Sequence, residues 1–223
     1  MSTPKHVVIF SHGFGVRKDS RGMFSEIVAA LPECECVLFD YNVRDEAANT
    51  ETIKPLADQA KVFEEVLKQT RLEYPNAIID IVTHSQGAVA PALVHPAGIR
   101  KTILLAPPFS LDANRTASWF IGRPGSNLDF GGISRLARRD GSTTLVPAAY
   151  WAGLSSIDPI ALYDFFAEQT ELTIITAKQD ELIRRLGERK LSDKIKVLDL
   201  DGDHNFTGEA RAGLVETVVK LLD

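Results

Sequence analysis

The sequence has very few cysteines, which argues against a fold stapled by disulfides. Its 223 residues contain only two, Cys34 and Cys36, whereas small secreted domains that depend on disulfides use more. On a strand the two side chains would point to the same face, but two thiols without nearby Cys or His partners make a poor metal site. We interpret them as buried thiols of a protein from a reducing compartment.

Long apolar runs and an excess of basic charge are also absent. No apolar run reaches the roughly 20 residues that a membrane-spanning helix needs, and Met1 to His6 lack the pattern of a signal peptide. A cytoplasmic protein is therefore expected. The formal net charge of −5 argues against a nucleic acid or an anionic membrane as the main partner. We interpret the cluster of Arg135, Arg138 and Arg139 as a solvated face.

The sequence does contain enough apolar residues for one well-buried domain. Hydrophobic residues make up 44% of the 223 positions, which suffices for one domain with a modest insertion. Short, continuously apolar runs predict buried strands at 6–11, 35–40, 77–83, 101–106, 172–177 and 195–200. Helical spacing and stop signals predict helices at about 23–31, 54–74, 85–94, 159–168 and 208–222.

This alternation of strands and helices predicts a parallel sheet that is covered on both sides. Strands that are apolar on both faces are buried on both faces. We therefore expect an α/β fold with a mostly parallel sheet of about six strands and helices on each face. Active sites of such sheets lie at the carboxyl ends of the strands, so chemistry is expected in the loops that follow them.

One stretch breaks the alternation. Residues 109–158 combine aromatic side chains with many Gly, Pro, Ser and Arg residues and have no clear period. One interpretation is a cap inserted into a core formed by 1–108 and 159–223. The other is an irregular surface excursion whose aromatic residues anchor it, and both can hold. If the stretch is a cap, Trp119 and Trp151 are candidates for contact with a substrate.

Ser85 stands at the turn between a predicted strand and a predicted helix. The apolar run from Ala77 to Val82 ends just before it, and small residues follow at once. A serine at such a turn exposes its hydroxyl above the carboxyl edge of the sheet. Backbone N–H groups and the helix dipole favour negative charge there. Ser85 is therefore a candidate nucleophile, and the alternative is an ordinary helix N-cap.

A carboxylate and an imidazole follow the last two predicted strands. Asp180 comes after the strand at 172–177, and His204 after the strand at 195–200. Serine needs a base to become a good nucleophile, and imidazole suits that task near neutral pH. A carboxylate behind the ring orients it. These residues predict Ser85 as nucleophile, His204 as general base and Asp180 as the orienting acid.

The other acidic and histidine side chains near these positions have less specific signals. Asp158 precedes Pro159, a pattern more typical of a helix N-cap. Asp203 is adjacent to His204 and would point elsewhere. We interpret His12 as a structural ring, and His84 as packed against neighbouring strands.

A loop with two glycines, Ser11 to Gly15, follows the first predicted strand. Glycine lets the backbone bend close to whatever lies above the sheet edge, so that N–H groups can point at it. An oxyanion next to Ser85 needs such donors. The expected pair is the amide of Phe14 and the amide of Gln86, the residue after the nucleophile.

Together these motifs resemble the α/β-hydrolase superfamily over nearly the whole chain. The motifs are the Ser11–Gly15 loop, the Thr83–Gly87 turn, Asp180 and the run Asp203–Phe206. They are most similar to those of small bacterial esterases of the feruloyl-esterase and monoacylglycerol-lipase types. The resemblance implies a Ser-His-Asp acyl hydrolase that acts on a small-molecule ester and uses no metal or organic cofactor.

The chain departs from that family in three ways. Thr83 stands where the turn usually has glycine, the loop from Asp40 to Asp45 lacks a Gly-rich pattern, and the chain starts at what would be the third strand. We therefore expect a minimal, six-stranded version of the fold.

Hydrolysis of a carboxylic ester of a small or medium acyl group, through an acyl-enzyme on Ser85, is the predicted activity. A serine peptidase or a thioesterase would share every residue named above. A non-catalytic binding protein with the same fold is the alternative from another class. The sequence carries no prediction of oligomeric state.

Overall fold

The computed structural model describes residues 4–183 and 189–223. Its strands are β1 His6–Ser11, β2 Glu35–Leu38, β3 Val43–Asp45, β4 Thr50–Thr52, β5 Ile78–His84, β6 Lys101–Leu105, β7 Ile133–Ala137, β8 Thr143–Pro147, β9 Glu171–Ala177 and β10 Lys196–Leu200. Its α-helices are α1 Met23–Ala29, α2 Leu56–Glu73, α3 Val89–Val94, α4 Ala113–Ser118, α5 Ala148–Leu154, α6 Pro159–Phe166 and α7 Ala210–Leu222. None of the helices in these two ranges is both long and apolar enough to cross a membrane. The predicted core ranges also include 1–3 and 184–188, which lie outside the described residues.

Six strands form the main sheet, in the order β10-β9-β6-β5-β1-β2. Each neighbouring pair in this sheet is parallel. The prediction of an α/β fold with about six mostly parallel strands is therefore confirmed.

Strand β1 explains why both faces of the sheet carry helices. Val7 and Ile9 pack with α2, α3 and α6, whereas Val8 and Phe10 pack with α1 and α7. Successive side chains of a strand point to opposite faces, and all four of these are fully buried. Burial of each side chain of this kind contributes about 1.5–3 kcal/mol, which favours covering both faces.

The connections that follow β1 and β5 leave the sheet on opposite faces. Helix α1 packs on the face of Phe10, whereas the 3₁₀ turn at Ser85–Ala88 and helix α3 pack on the face of Ile9. Since β1 and β5 are neighbours, a crevice opens between their carboxyl ends. Open α/β sheets bind ligands at such a switch point, and the loop after β1 and Ser85 both lie there.

A second, smaller sheet has the order β3-β4-β8-β7. With α4 and α5 it forms what we call the outer layer. Its apolar core includes Phe120 and Tyr150 and packs against Leu56 of α2 and Val89 of α3. Strands β7 and β8 and helices α4 and α5 come from the stretch 109–158, but β3 and β4 come from a segment without a predicted element. The assignment of 109–158 as a cap stays a prediction.

Two interpretations of surface and thiol residues need correction. Arg135 and Arg139 are exposed as expected, but Arg138 is half-buried and donates a hydrogen bond to the carbonyl oxygen of Gly15. The turn that joins β7 to β8 aims this one guanidinium inwards. Cys34 and Cys36 are free and only half-buried, because β2 is an edge strand.

Candidate active site

Ser85 occupies a strained turn at the carboxyl end of β5. Its φ is 54°, a left-handed conformation that costs a residue other than glycine about 1–2 kcal/mol. The turn is held against the loop after β1, because the Ser11 hydroxyl donates to the Gly87 carbonyl oxygen at 2.6 Å. A Cβ at Gly87 would overlap the carbonyl oxygens of Ser11 and His12. Close approach of the two loops therefore requires glycine at position 87.

Thr83 does not prevent this turn. Its side chain is fully buried in β5, between Ser11 of β1 and Leu104 of β6 in register. Its hydroxyl has no hydrogen-bond partner within the described ranges. The departure from glycine leaves a buried, unpaired hydroxyl beside a turn that still has the left-handed conformation at Ser85.

The structure brings Ser85, His204 and Asp180 together. The Ser85 Oγ atom lies 2.9 Å from His204 Nε2, and His204 Nδ1 lies 2.8 Å from Asp180 Oδ2. We call this arrangement the Ser85–His204–Asp180 relay. The other Asp180 oxygen accepts the N–H groups of Leu182 and Ile183, each at 2.8 Å. These hydrogen bonds fix the carboxylate behind the ring.

The protonation of the relay follows from the environment of Asp180. Burial acts to raise the pKa of this carboxyl, but the hydrogen bond and charge of His204 and two backbone N–H groups outweigh it, so the pKa lies below its ordinary value. An ionised carboxylate only accepts hydrogen bonds. His204 therefore carries its proton on Nδ1, and Nε2 is left to accept the proton of Ser85.

Asp158 and Asp203, the other carboxylates considered as partners of His204, make different contacts. Asp158 caps α6 by accepting from Ile160 and Ala161 N–H, and it also pairs with Arg189 at 2.8 Å. Asp203 accepts from backbone and side chain of Thr207, at 2.8 and 2.6 Å. The geometry therefore selects Asp180 as the carboxylate on His204.

His84 supports the backbone of His204, a role that the sequence did not reveal. Its Nε2 lies 3.0 Å from the His204 carbonyl oxygen, which can only accept, so Nε2 carries the proton. Ser20 donates to the free Nδ1 at 2.8 Å. Burial, followed by the charge of His204, lowers the pKa of His84 to about 3. His84 is therefore a neutral, buried donor.

The depressed pKa of His84 predicts a loss of stability in acid. The unfolded chain binds a proton at this residue near 6.5, the folded chain only near 3. Between these values the unfolded state holds more protons, so the free energy of unfolding falls as the pH falls, by up to about 1.4 kcal/mol per pH unit. Urea unfolding measured from about pH 7 to about pH 5 checks this in wild type and in His84→Gln.

Glutamine is the matched replacement because its amide nitrogen can donate to the same carbonyl but does not titrate. We expect a shallower pH dependence in His84→Gln than in wild type, since all other titrating groups are common to both proteins. Equal slopes would contradict the assignment of His84 as the buried neutral histidine.

His12 connects the loop after β1 to the following segment. Its Nε2 accepts the Tyr41 N–H at 3.0 Å, and its Nδ1 lies 3.0 Å from the carbonyl oxygen of Gly13. Burial lowers the pKa of His12, so the ring is neutral and donates through Nδ1. The expected structural role of this ring agrees with these contacts.

Phe14, Ser85 and Gln86 line one cleft. Gln86 belongs to the first turn of a helical segment, where N–H groups have no partner within the helix. The residues predicted to supply the donors and the nucleophile thus line a common space. Apolar residues from three other segments complete much of its wall: Phe109, Leu111, Trp119, Leu182 and Ile183.

The two candidate tryptophans lie in different places. Trp119 lines the cleft. Trp151 is 4% exposed in the core of the outer layer, and its indole N–H donates to Ser134 at 3.1 Å. Its ring packs against the buried ring of Tyr150. The structure therefore places Trp151 away from the cleft wall.

No group of three or more His, Cys, Asp or Glu side chains in residues 4–183 and 189–223 is arranged to hold a metal ion. The imidazole of His204 lies on the Ser85 hydroxyl, and Phe14 and Gln86, whose backbone amides are the predicted donors, line the same cleft as Ser85. This set can move a proton and stabilise an oxyanion.

No protein-family model matches the sequence, and no curated protein matches it. Solved structures do match. Est1E from Butyrivibrio proteoclasticus, with ferulic acid bound, has a TM-score of 0.70 at 17% identity over 99% of this chain and 89% of its own. The monoacylglycerol lipase of Paleococcus ferrophilus has a TM-score of 0.61 at 12% identity, covering 97% of this chain and 93% of its own.

A third solved structure that matches this chain is an alpha/beta hydrolase. The alpha/beta hydrolase GrgF from Penicillium sp. sh18 has a TM-score of 0.66 at 15% identity, over 99% of this chain and 88% of its own. Identities this low show a shared fold and leave activity to be argued from the site. With its parallel six-stranded sheet and these structural neighbours, the chain has the α/β-hydrolase fold.

Proposed function

We propose that this protein hydrolyses a carboxylic ester of a small or medium acyl group through an acyl-enzyme on Ser85. The observation that supports it most is the Ser85–His204–Asp180 relay, with hydrogen bonds of 2.9 and 2.8 Å, beside a partly apolar cleft. Unrelated folds use the same constellation for acyl transfer. Structural neighbours that include a monoacylglycerol lipase agree with this reaction.

In the first half-reaction His204 acts as general base. Its Nε2 takes the Ser85 proton as the serine oxygen attacks the ester carbonyl carbon, and Asp180 stabilises the imidazolium that forms. The tetrahedral intermediate then collapses: the bond to the alcohol oxygen breaks, and His204 returns the proton to that oxygen. The alcohol leaves, and the acyl group stays on Ser85.

The second half-reaction repeats these steps with water. His204 takes a proton from water, whose oxygen attacks the acyl carbon, and the proton then returns to Ser85 as the acid departs. In both halves the amides of Phe14 and Gln86 are the proposed donors to the oxyanion. Removal of one such donor costs about 3–4 kcal/mol of transition-state stabilisation in enzymes of this type.

The wall of the cleft supports an acyl group of modest size. Its apolar residues, with Trp119 among them, favour a hydrocarbon or aromatic acyl chain, and Asp112 and Arg115 add one charge of each sign to the same wall. We propose Trp119 as a substrate contact on this basis. A small-molecule ester is the proposed partner, and the cytoplasmic location predicted from composition stays a prediction.

Labelling with an alkyl fluorophosphonate tests the proposal. The activated serine oxygen attacks phosphorus and displaces fluoride, so one covalent adduct is expected on the tryptic peptide that contains Ser85. Mass spectrometry of the digested protein locates it. The same protein unfolded in urea is the control and should stay unlabelled, since an isolated serine is a weak nucleophile.

Two results would reject the proposal. A folded protein that takes no label would favour the non-catalytic binding protein. An adduct at a serine other than Ser85 would show that the Ser85–His204–Asp180 relay is not the reactive centre.

A further inference from the structure

One side chain of the outer layer contacts both residues proposed to hold the oxyanion. Tyr150 of α5 is fully buried, and its hydroxyl donates to Gln86 Oε1 at 2.8 Å. Its ring also packs on the ring of Phe14, with centroids 5.4 Å apart. Tyr150 therefore links the loop after β1 to the turn after β5.

The hydrogen bond between Tyr150 and Gln86 restrains the direction of the Gln86 side chain. Gln86 is only 7% exposed, and a buried amide oxygen that loses its donor is not compensated by water. Burial raises the pKa of the Tyr150 hydroxyl, so it stays protonated and remains a donor. Because Gln86 follows Ser85 directly, fixing its side chain also restrains the peptide that carries the second oxyanion donor.

A second contact holds the other side of the same loop. The Arg138 guanidinium donates to the Gly15 carbonyl oxygen, one residue after Phe14. It packs so closely that a Cβ at Gly15 would lie 2.8 Å from its Nη2 atom. Burial lowers the pKa of Arg138 to about 10, which leaves the group charged near neutral pH. The outer layer thus contacts this loop at two adjacent residues: Tyr150 packs on Phe14, and Arg138 binds Gly15.

We propose that Tyr150 is a positioning residue for the oxyanion hole, an inference that rests on the proposed function. It acts through Gln86 and Phe14, and it is absent from the described lining of the cleft. Since the oxyanion exists only in the transition state and the intermediate, correct placement of its donors raises kcat and changes substrate binding little. The outer layer then serves as a frame for the N–H donors.

Tyr150→Phe removes only the hydroxyl and keeps the ring on Phe14. We expect kcat for p-nitrophenyl acetate to fall roughly tenfold with KM changed less than about twofold, because a misplaced donor costs less than the 10²–10³ lost when a donor is removed. Steady-state kinetics with wild type and variant measure both constants.

Ser134→Ala is the matched control. Ser134 is fully buried in the same layer and accepts the N–H groups of Trp151 and Asp129, at 3.1 and 2.9 Å. Its described hydrogen bonds join it to Trp151 and Asp129 and not to Phe14 or Gln86, so kcat of Ser134→Ala should equal that of wild type. If Tyr150→Phe has the kcat of Ser134→Ala, or changes KM alone, the inference is wrong.

A second variant covers the case in which Tyr150→Phe does not fold. Gln86→Met removes the acceptor but keeps the backbone N–H, and it should show the same loss of kcat. The double variant should then be no slower than Gln86→Met alone, because both changes break one interaction. Losses that multiply would overturn the inference. A wild-type protein without esterase activity would instead refute the proposed function itself.

Discussion

Replacement of Ser85 by alanine should lower kcat for ester hydrolysis by about 10⁵–10⁶-fold, the loss seen when a serine hydrolase loses its nucleophile. No acyl-enzyme can form without the hydroxyl, and what remains is the rate that binding and the oxyanion donors sustain. The measurement uses p-nitrophenyl esters of increasing acyl length together with methyl ferulate. This series also determines which acyl length the cleft accepts best.

The fold should survive this change. Alanine at position 85 adopts the same left-handed φ of 54° at a cost similar to that of serine. Circular dichroism and thermal unfolding should therefore match wild type. Ser156→Ala changes an exposed serine two residues after the end of α5, whose hydroxyl donates to the Gly153 carbonyl, and should retain full activity. Turnover by Ser85→Ala at the wild-type rate would exclude Ser85 as the nucleophile.

Replacement of Asp180 by asparagine should lower kcat by about 10⁴-fold with KM little changed. An amide cannot stabilise the imidazolium of His204, and its NH₂ group favours the tautomer in which Nδ1 accepts. Nε2 would then carry the proton and could not remove one from Ser85. Steady-state kinetics at saturating substrate measure the effect.

Asp203→Asn is the control for this prediction. Asp203 stands next to His204 in the chain, and it accepts hydrogen bonds within its own loop, from Asn205 and Thr207. Its change should lower stability by about 1 kcal/mol and leave kcat within a few fold. A loss of kcat as large as that of Asp180→Asn would mean that the loop, and not the carboxylate on the ring, controls the reaction.

The central sheet was predictable because each of its strands has an apolar run that is visible in the local sequence. β1 is apolar at four consecutive positions, and β5 has two apolar pairs on either side of Asp80, a pattern typical of strands buried on both faces. Strand ends then located Ser85, Asp180 and His204, since parallel strands deliver the residues after them to one edge. The closeness of these three residues therefore follows from the parallel arrangement of the strands.

The outer layer was not predictable from local pattern. Strands β3 and β4 have three residues each, too few for a readable period. The partner of β4 is β8, which pairs Thr50 with Thr143, so this sheet depends on contacts that are distant in sequence. The prediction that Arg138 lies on a solvated face was wrong for the same reason. Its inward direction is set by the turn between β7 and β8 and by the position of Gly15.

Some features of the site depend on tertiary packing alone. Trp119 and Trp151 belong to the same irregular stretch, and nothing in the residue types indicates that one faces the cleft and the other the core. The support of His204 by His84 and Ser20 joins residues that no spacing rule connects.

The strand order has a consequence for synthesis on the ribosome. After β1 and β2 pair, β5 adds to the free edge of β1, and β6, β9 and β10 then each add to the strand placed before them. This order lets the sheet grow in a single direction without rearranging earlier pairs. Asp180 and His204 follow the last two strands of this sheet, so the proposed relay with Ser85 cannot form until His204 has been translated.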